Sequence, residues 1–191
     1  MSIQTTTLAF LAFAVAMPLA TGANAQQTRT FVSAAGNDAN ACNRAAPCLT
    51  FAGAFAKTNA GGEINCLNVG SYGGLTITRS VAIVCDNVVA TLLGTGTDVI
   101  TVNAGANDRV TLSGLDIKTG ASAAGINVSQ VGVLRVSNTR VRNGTNGIIF
   151  GPTNGASLFI SDSDISHNGN ISFGSGVAVA PSGAGGANVH I

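Results

Sequence analysis

"LRVSNTRVRNGTNGIIF", residues 134–150, contains short segments in which apolar and polar residues alternate. The neighbouring stretches "VTLSGLDIKTGASAAGINV" (110–128) and "LFISDSDISHNGNISFGSGVAV" (158–179) repeat the same pattern. Alternation with a period of two is typical of β-strands that bury one face. A unit of three such short strands cannot enclose a hydrophobic core alone, so it is expected to stack on copies of itself.

Alignment of the whole chain on this pattern gives apolar columns that recur in five rungs. The first column is Ile64, Ile83, Leu112, Val136 and Ile160, and the second, five residues later in each rung, is Val69, Val88, Ile117, Val141 and Ile165. The third column consists of the pairs Leu75 and Ile77, Ile100 and Val102, Ile126 and Val128, Ile148 and Phe150, and Val177 and Val179. The rungs are too short for a crossover helix. The sequence therefore predicts an all-β fold, a right-handed parallel β-helix (solenoid) of about five rungs, over residues 61–191.

The first 25 residues have the pattern of a secretory signal peptide. An apolar run, Leu8–Ala20, precedes the small-residue tripeptide Ala23-Asn24-Ala25, which predicts cleavage before Gln26. The alternative is an uncleaved membrane anchor, but the run is shorter than the roughly 20 residues that span a bilayer. We expect a secreted protein, in the extracellular space, at the cell surface or in the periplasm, with no membrane span in the mature chain.

Charged residues are few and nearly balanced. The chain has 9 Lys and Arg residues and 8 Asp and Glu residues, without a basic stripe of the kind that neutralises phosphate backbones. We therefore expect no nucleic-acid partner.

An even number of cysteines in an exported chain favours disulfides over free thiols. Cys66 and Cys85 each follow the first column by two residues, on adjacent rungs. Parallel strands lie about 4.8 Å apart, within the Cα separation of a disulfide. The prediction is Cys66–Cys85, with Cys42–Cys48 closing a small loop. Zinc is the alternative, but the spacings contain no C-x₂-C pair and both histidines are distant, so no cofactor is expected.

A charged column is predicted outside the bend between the first two strands. Its members are Asn68, Asn87, Asp116, Arg140 and Asp164. Arg140 would lie between two carboxylates that are two rungs, about 9.6 Å, apart, near the separation found in inverting glycosidases. An interposed guanidinium favours ionised carboxylates, the reverse of what a general acid needs. We interpret this column as a structural charge ladder.

Both ends of the coil need a cover. Residues 26–60 are predicted to form an N-terminal strand, a disulfide loop and a capping α-helix, in which Leu49, Ala52, Phe55 and Ala56 form the apolar stripe. At the other end, Val189 and Ile191 take the places of Leu158 and Ile160 in a sixth rung, and no cap follows. The coil is therefore expected to be open there, as in a truncated form of a longer β-helix, with possible self-association through the uncapped rung.

The run "GGEINCLNVGSYGGLTITRSVAIVC", Gly61–Cys85, resembles the entry rungs of the pectate-lyase-like superfamily of right-handed parallel β-helix proteins. More closely, residues 29–64 are similar to a group of bacterial secreted β-helix repeat proteins of uncharacterised role. The resemblance implies binding or cleavage of an acidic or neutral polysaccharide. The calcium-binding acids and the Gly-His-Gly and Arg-x-Lys segments of those enzymes have no counterpart here, and fold similarity alone does not establish an activity.

The strongest local candidates for chemistry are Asp162, Asp164 and His167, because a histidine near carboxylates can act as a general base. The alternative is that Asp162 caps the bend, Asp164 completes the ladder and His167 lies in a solvated turn. Tyr72 is expected to pack rather than to stack on a sugar, and Asp38 to lie in a plain turn rather than to bind calcium.

The predicted function is surface or polysaccharide interaction without catalysis. Loops 89–99 and 166–176 are the expected ligand-binding regions, since loops on a rigid stack can vary without disturbing the core. A polysaccharide lyase or glycoside hydrolase is the alternative, and a structural envelope or adhesin segment is the third possibility.

Overall fold

The computed structural model describes residues 26–191 except 95, 121–122, 170–173 and 184, so the predicted signal peptide lies outside the described residues. The helix is α1, Phe51–Lys57. The strands are β1 Gln27–Val32, β2 Thr58–Cys66, β3 Gly70–Ser71, β4 Leu75–Ile77, β5 Val81–Val84, β6 Ala90–Leu93, β7 Ile100–Asn103, β8 Arg109–Ser113, β9 Leu115–Lys118, β10 Ala124–Gln130, β11 Val133–Ser137, β12 Arg140–Arg142, β13 Asn146–Phe150, β14 Ala156–Ser161, β15 Asp164–Ser166, β16 Ser175–Val179 and β17 Ala187–His190.

The strands form three parallel sheets. Sheet A has the order β1-β2-β5-β8-β11-β14-β17, sheet B has β15-β12-β9-β6-β3, and sheet C has β16-β13-β10-β7-β4. Each rung contributes one strand to each sheet, so that β2, β3 and β4 make the first rung and β14, β15 and β16 the fifth. This arrangement confirms the predicted parallel β-solenoid, and the one helix among the described residues is short and lies near the N-terminal end of the coil.

The first and third apolar columns are confirmed in register. In sheet A, Ile64 pairs with Ile83, Ile83 with Leu112, and Leu112 with Val136. In sheet C, the five predicted pairs are aligned from β4 to β16. Apart from Val179, which is 45% exposed, these side chains form one core along the axis, because alternate residues of a strand face opposite sides.

The second column is correct in the last three rungs and wrong in the first two. Ile117, Val141 and Ile165 are in register, but the residue aligned with Ile117 on the rung below is Leu92, not Val88. In the first rung the column is continued by Tyr72, whose N–H donates to the carbonyl of Thr91. Tyr72 is 0% exposed, which confirms its predicted packing role, whereas Val69 is 65% exposed.

The bend after β2 and β5 is longer than the bend in later rungs, and this displaces the second column. Ile117 follows Leu112 by five residues, but Leu92 follows Ile83 by nine. The longer bends contain the disulfide Cys66–Cys85, with a Cα–Cα distance of 5.0 Å. The second predicted disulfide, Cys42–Cys48, is also present, with a Cα–Cα distance of 4.7 Å.

The helix lies where it was predicted but buries a different face. Its buried residues are Phe51, Ala54 and Phe55, and Leu49 precedes the helix and is exposed. The rings of Phe51 and Tyr72 lie 5.3 Å apart, so the helix packs on the first rung as a cap. The predicted stripe of Leu49, Ala52, Phe55 and Ala56 is therefore wrong except at Phe55, because the helix begins after the N-cap Thr50.

Asp38 anchors the start of this helix. Its carboxylate accepts hydrogen bonds from the backbone N–H groups of Leu49 and Thr50, each at 2.9 Å, and from the Thr50 hydroxyl at 2.8 Å. The Thr50 hydroxyl oxygen in turn accepts from the N–H of Gly53 at 2.9 Å. Burial raises the pKa of Asp38, but the hydrogen bonds from Thr50 and Leu49 and the charge of Lys57 outweigh it and hold this pKa below its usual value.

We expect Asp38→Asn to lower stability at neutral pH by about 1 kcal/mol, the usual size of a lost capping interaction at an exposed site. Because the folded-state pKa is depressed, the stabilisation is present above the unfolded pKa of about 3.9 and is lost as the pH falls through the lower folded value. Thermal unfolding at pH 7 and at pH 2 should therefore show a difference between variant and wild type that narrows in acid. Asp162→Asn, at an exposed carboxylate, is the matched control, and an equal difference at both pH values would contradict the assignment.

At the opposite end of sheet A, Val189 pairs with Leu158 as predicted. His190 pairs with Phe159 in the same register, and Ile191 lies beyond the end of β17 and is 87% exposed. Within the described ranges, no helix is long and apolar enough to cross a membrane.

Candidate functional site

The bend between sheets A and B is built by residues in the left-handed backbone region. Gly114, Asn138 and Asp162 have φ values of 75°, 45° and 49° and lie in one column on successive rungs. Glycine, asparagine and aspartate adopt this conformation at the lowest cost, which explains why these residue types recur there. These three residues turn the chain sharply after β8, β11 and β14, where it passes from sheet A to sheet B.

A groove runs parallel to the axis along this bend, and we call it the axial groove. Its volume is about 510 Å³. The groove is lined by Val69, Asp86, Asn87, Val88, Val89, Gly114, Leu115, Asp116, Asn138, Thr139, Arg140, Asp162 and Asp164. Residues of all five rungs contribute, so the groove extends over four rung steps of about 4.8 Å each, or about 19 Å.

Three ion pairs of the described residues lie beside this groove. The guanidinium of Arg142 donates to both carboxylate oxygens of Asp116 at 2.9 Å, and Lys118 lies 3.9 Å from the same group. Nε of Arg140 lies 3.5 Å from Oδ2 of Asp164. Both hydrogen bonds come from one nitrogen, Nη2 of Arg142, so this pair is not the fork-to-fork arrangement in which two guanidinium nitrogens each bond one carboxylate oxygen.

The charge ladder is thus confirmed in register but corrected in its contacts. Arg140 aligns with Asp116 on one side and with Asp164 on the other. Arg140 forms its ion pair with Asp164. Asp116 instead binds Arg142, which lies on β12 two residues after Arg140. In the first two rungs the column contains Ser71 and Thr91, not Asn68 and Asn87, because of the longer bends.

The remaining groove carboxylates have fewer partners. Asp86 accepts hydrogen bonds from the Ser113 hydroxyl and from Nδ2 of Asn138, the latter at 3.2 Å. Asp162 is exposed, and its carboxylate forms no hydrogen bond or ion pair with the described residues. The groove therefore contains four carboxylates and one guanidinium, and it offers more acceptors than donors to a ligand.

The structure brings together two of the three candidate residues. Asp162 and Asp164 both line the axial groove. His167 lies after β15 in a left-handed turn with a φ of 54°, and its Nδ1 is 3.2 Å from the hydroxyl of Ser166. It is not among the residues that line the groove.

The predicted ligand loops are only partly loops. Residues 90–93 of loop 89–99 form strand β6, and the loop 166–176 includes residues 170–173, which lie outside the described part. Asp98 lines a separate hollow of about 320 Å³. Its carboxylate accepts from the N–H of Ala124 at 2.8 Å and from Nδ2 of Asn127 at 2.6 Å, which fixes the β6–β7 connection to the next rung.

A second hollow, which we call the N-terminal hollow, adjoins the axial groove. It has a volume of about 290 Å³. Its lining consists of Arg29, Phe31, Arg44, Asn65, Cys66, Leu67, Val84, Cys85, Asp86 and Asn87. Asp86 and Asn87 also line the axial groove, so the two depressions are contiguous. Arg29 and Arg44 are not predicted by the sequence pattern, since they lie outside the repeat and no periodicity indicates that they meet.

Among the described residues, no group of three or more His, Cys, Asp or Glu side chains could hold a metal ion. Comparison of the chain with protein-family models, with curated proteins and with solved structures gives no match.

Proposed function

We propose that the chain is a secreted binding protein that holds an extended polysaccharide along the axial groove without cleaving it. The single observation that carries this proposal is the continuity of the groove across five rungs. A depression about 19 Å long fits an elongated ligand better than a compact metabolite. The two disulfides and the resemblance of the entry rungs to the pectate-lyase-like superfamily support secretion and a carbohydrate ligand.

The chemistry of the lining favours a hydroxyl-rich ligand without a high negative charge. Carboxylates only accept hydrogen bonds, and sugar hydroxyls are ready donors. Asp86 and Asp162 have no cationic partner among the described residues. They would repel a polymer with a carboxylate on every unit, so a neutral or amino-sugar polysaccharide is the favoured class.

The repeat provides a rigid support for such a site. In the three middle rungs the groove residues lie on or beside sheet B strands that pair on both sides, while the sheet B strands of the first and fifth rungs, β3 and β15, pair on one side. A ligand therefore meets side chains whose backbone positions are already fixed, which reduces the entropy lost on binding.

A glycan array probed with the full mature chain tests the proposal, followed by titration with the best oligosaccharide. The double variant Asn87→Ala, Asp162→Ala should weaken binding about tenfold, as expected from two lost hydrogen bonds. Asn188→Ala, at an exposed residue of β17 outside the groove, should bind like wild type. Retention of no glycan, or equal weakening by the control, would refute the proposal.

A glycoside hydrolase is the second candidate function, and one observation favours it. Asp116 and Asp164 align two rungs apart, about 9.6 Å, near the separation of the two acids in inverting enzymes. Incubation with neutral and uronic glycans, followed by assays for reducing ends and for unsaturated products, distinguishes the two functions. Turnover that is abolished by Asp164→Asn or by His167→Ala would replace binding with catalysis, and its absence with retention of the glycan would support binding.

A further inference from the structure

We propose that the N-terminal hollow binds a tetrahedral oxyanion, a phosphate or sulfate ester carried by a sugar. Two guanidinium groups from separate parts of the chain line this hollow: Arg29 on β1 and Arg44 in the loop closed by Cys42–Cys48. Arginine is the side chain best suited to planar, multidentate contacts with oxyanions. The site adjoins the axial groove and shares Asp86 and Asn87 with it.

Arg44 is held in place without a competing anion. Its guanidinium lies over the ring of Phe31, 5.7 Å from the centroid, and no carboxylate among the described residues is within ion-pair distance. The loop is shaped by Asn43, whose side-chain oxygen accepts from the N–H groups of Ala45 and Ala46 at 3.0 and 2.8 Å. The five N–H donors of Arg44 are thus available to a ligand.

Arg29 is partly engaged and keeps donors free. Its Nε lies 3.2 Å from a carboxylate oxygen of Glu63, its pairing partner in sheet A. This ion pair involves Nε of the guanidinium, and the other N–H groups of Arg29 have no acceptor among the described residues. Asn87 adds a side-chain amide that has no partner among the described residues.

The number of donors favours a tetrahedral anion over a carboxylate. A phosphate or sulfate ester presents three terminal oxygens, while a carboxylate presents two. Two arginines and an amide around a hollow of about 290 Å³ match the larger set of acceptors and leave room for the attached sugar.

The negative charge of Asp86 disfavours an anion in this hollow, and this gives the proposal a second test. Its carboxylate lines the same hollow and has only a hydroxyl and an amide as partners. Removal of this charge by Asp86→Asn should therefore strengthen anion binding. If the hollow binds no anion, Asp86→Asn will not change anion binding.

Because Asp86 and Asn87 belong to both depressions, a single ligand could place its ester in the hollow and its chain in the axial groove. This extension rests on the proposed function, while the oxyanion site itself does not. The site would then select glycans with an isolated phosphate or sulfate group at one end of the bound segment.

The test uses the full mature chain labelled with ¹⁵N and titrated with glucose 6-phosphate, glucose 6-sulfate and glucose. Both charged sugars, or one of them, should shift the amide signals of Arg44, Asn65 and Asn87, and glucose should not. Binding of the phosphate alone or of the sulfate alone would identify the ester. Raising the salt concentration from about 0.05 to 0.5 M should weaken binding, since the arginines are exposed.

Variants separate a built site from general charge attraction. Arg44→Ala should weaken binding about fivefold or more and Arg44→Lys less, because lysine keeps the charge but loses the fork. Asp86→Asn should strengthen it, and Arg109→Ala, at an exposed arginine outside the hollow, should have no effect. Equal losses at Arg44 and Arg109, or the absence of any shift with either ester, would overturn the proposal. Ester binding without glycan retention would refute the axial-groove function and leave this site standing.

Discussion

Replacing Val141 with Asp is expected to unfold the solenoid or to destabilise it by at least about 4 kcal/mol. Val141 is 0% exposed and lies between Ile117 and Ile165 on the neighbouring rungs. Loss of its burial costs about 1.5–3 kcal/mol, and an unpaired carboxylate inside the core adds several more. The measurement is thermal and urea unfolding followed by circular dichroism.

Val89→Asp is the matched control for this change. Val89 is also a valine beside sheet B, but it is 54% exposed. The same substitution there should change stability by less than about 0.5 kcal/mol, as is usual for surface positions. Similar unfolding midpoints for the Val141 variant and the wild type would be incompatible with the column that places Val141 in the core.

Replacing Gly114 with Ala should produce the second-largest loss, about 2–5 kcal/mol. Gly114 has a φ of 75°, and an added Cβ would lie 2.4 Å from the backbone carbonyl carbon of Cys85 on the rung below. The left-handed conformation costs an alanine about 1–2 kcal/mol, and the steric overlap forces a backbone shift of the overpacking kind, worth about 1–3 kcal/mol more.

Gly61→Ala isolates the first of these two terms. Gly61 has the same φ of 75°, but a Cβ there would meet nothing within 4 Å. This variant should lose only the conformational term, and the difference between the two unfolding free energies measures the contact with Cys85. Equal losses in the two variants would show that the bend does not pack against the rung below.

The fold was predictable because the repeat places like residues over one another. Once Ile83, Leu112 and Val136 are aligned, the first sheet, the third sheet and the cross-rung disulfide follow without any further information. The alignment of Cys66 with Cys85 was the sharpest of these predictions, since one residue of slippage would have put the two side chains on opposite faces.

The second column failed where the bend changes length. Gly114, Asn138 and Asp162 mark a tight turn, and the next inward residue then comes five positions after the first column. The first two rungs have cysteines at this place, and their bends are three and four residues longer. Two signals in the second rung could have revealed the longer bend. The alternating inward residues there are Ala90 and Leu92, and Cys85 takes the place of the glycine, asparagine or aspartate of the later bends.

The candidate site was only partly predictable for a different reason. Asp162 and Asp164 belong to the repeat, so alignment brought them together. Arg29 and Arg44 come from the N-terminal strand and the disulfide loop, and their approach depends on how that segment folds back on sheet A. Arg142 contacts Asp116 although the two residues are two positions out of register. Such a contact depends on the length of the arginine side chain, which the alignment of the repeat does not predict.

The disulfide between Cys66 and Cys85 makes the two ends of the coil unequal in their resistance to unfolding. Each rung touches only the rungs beside it, so a repeat array can lose one layer at a time. The disulfide joins the first two rungs, and the helix covers the first of them. These two rungs therefore stay covalently linked while the bond is intact. We therefore expect unfolding under heat or tension to start in the rungs far from this disulfide.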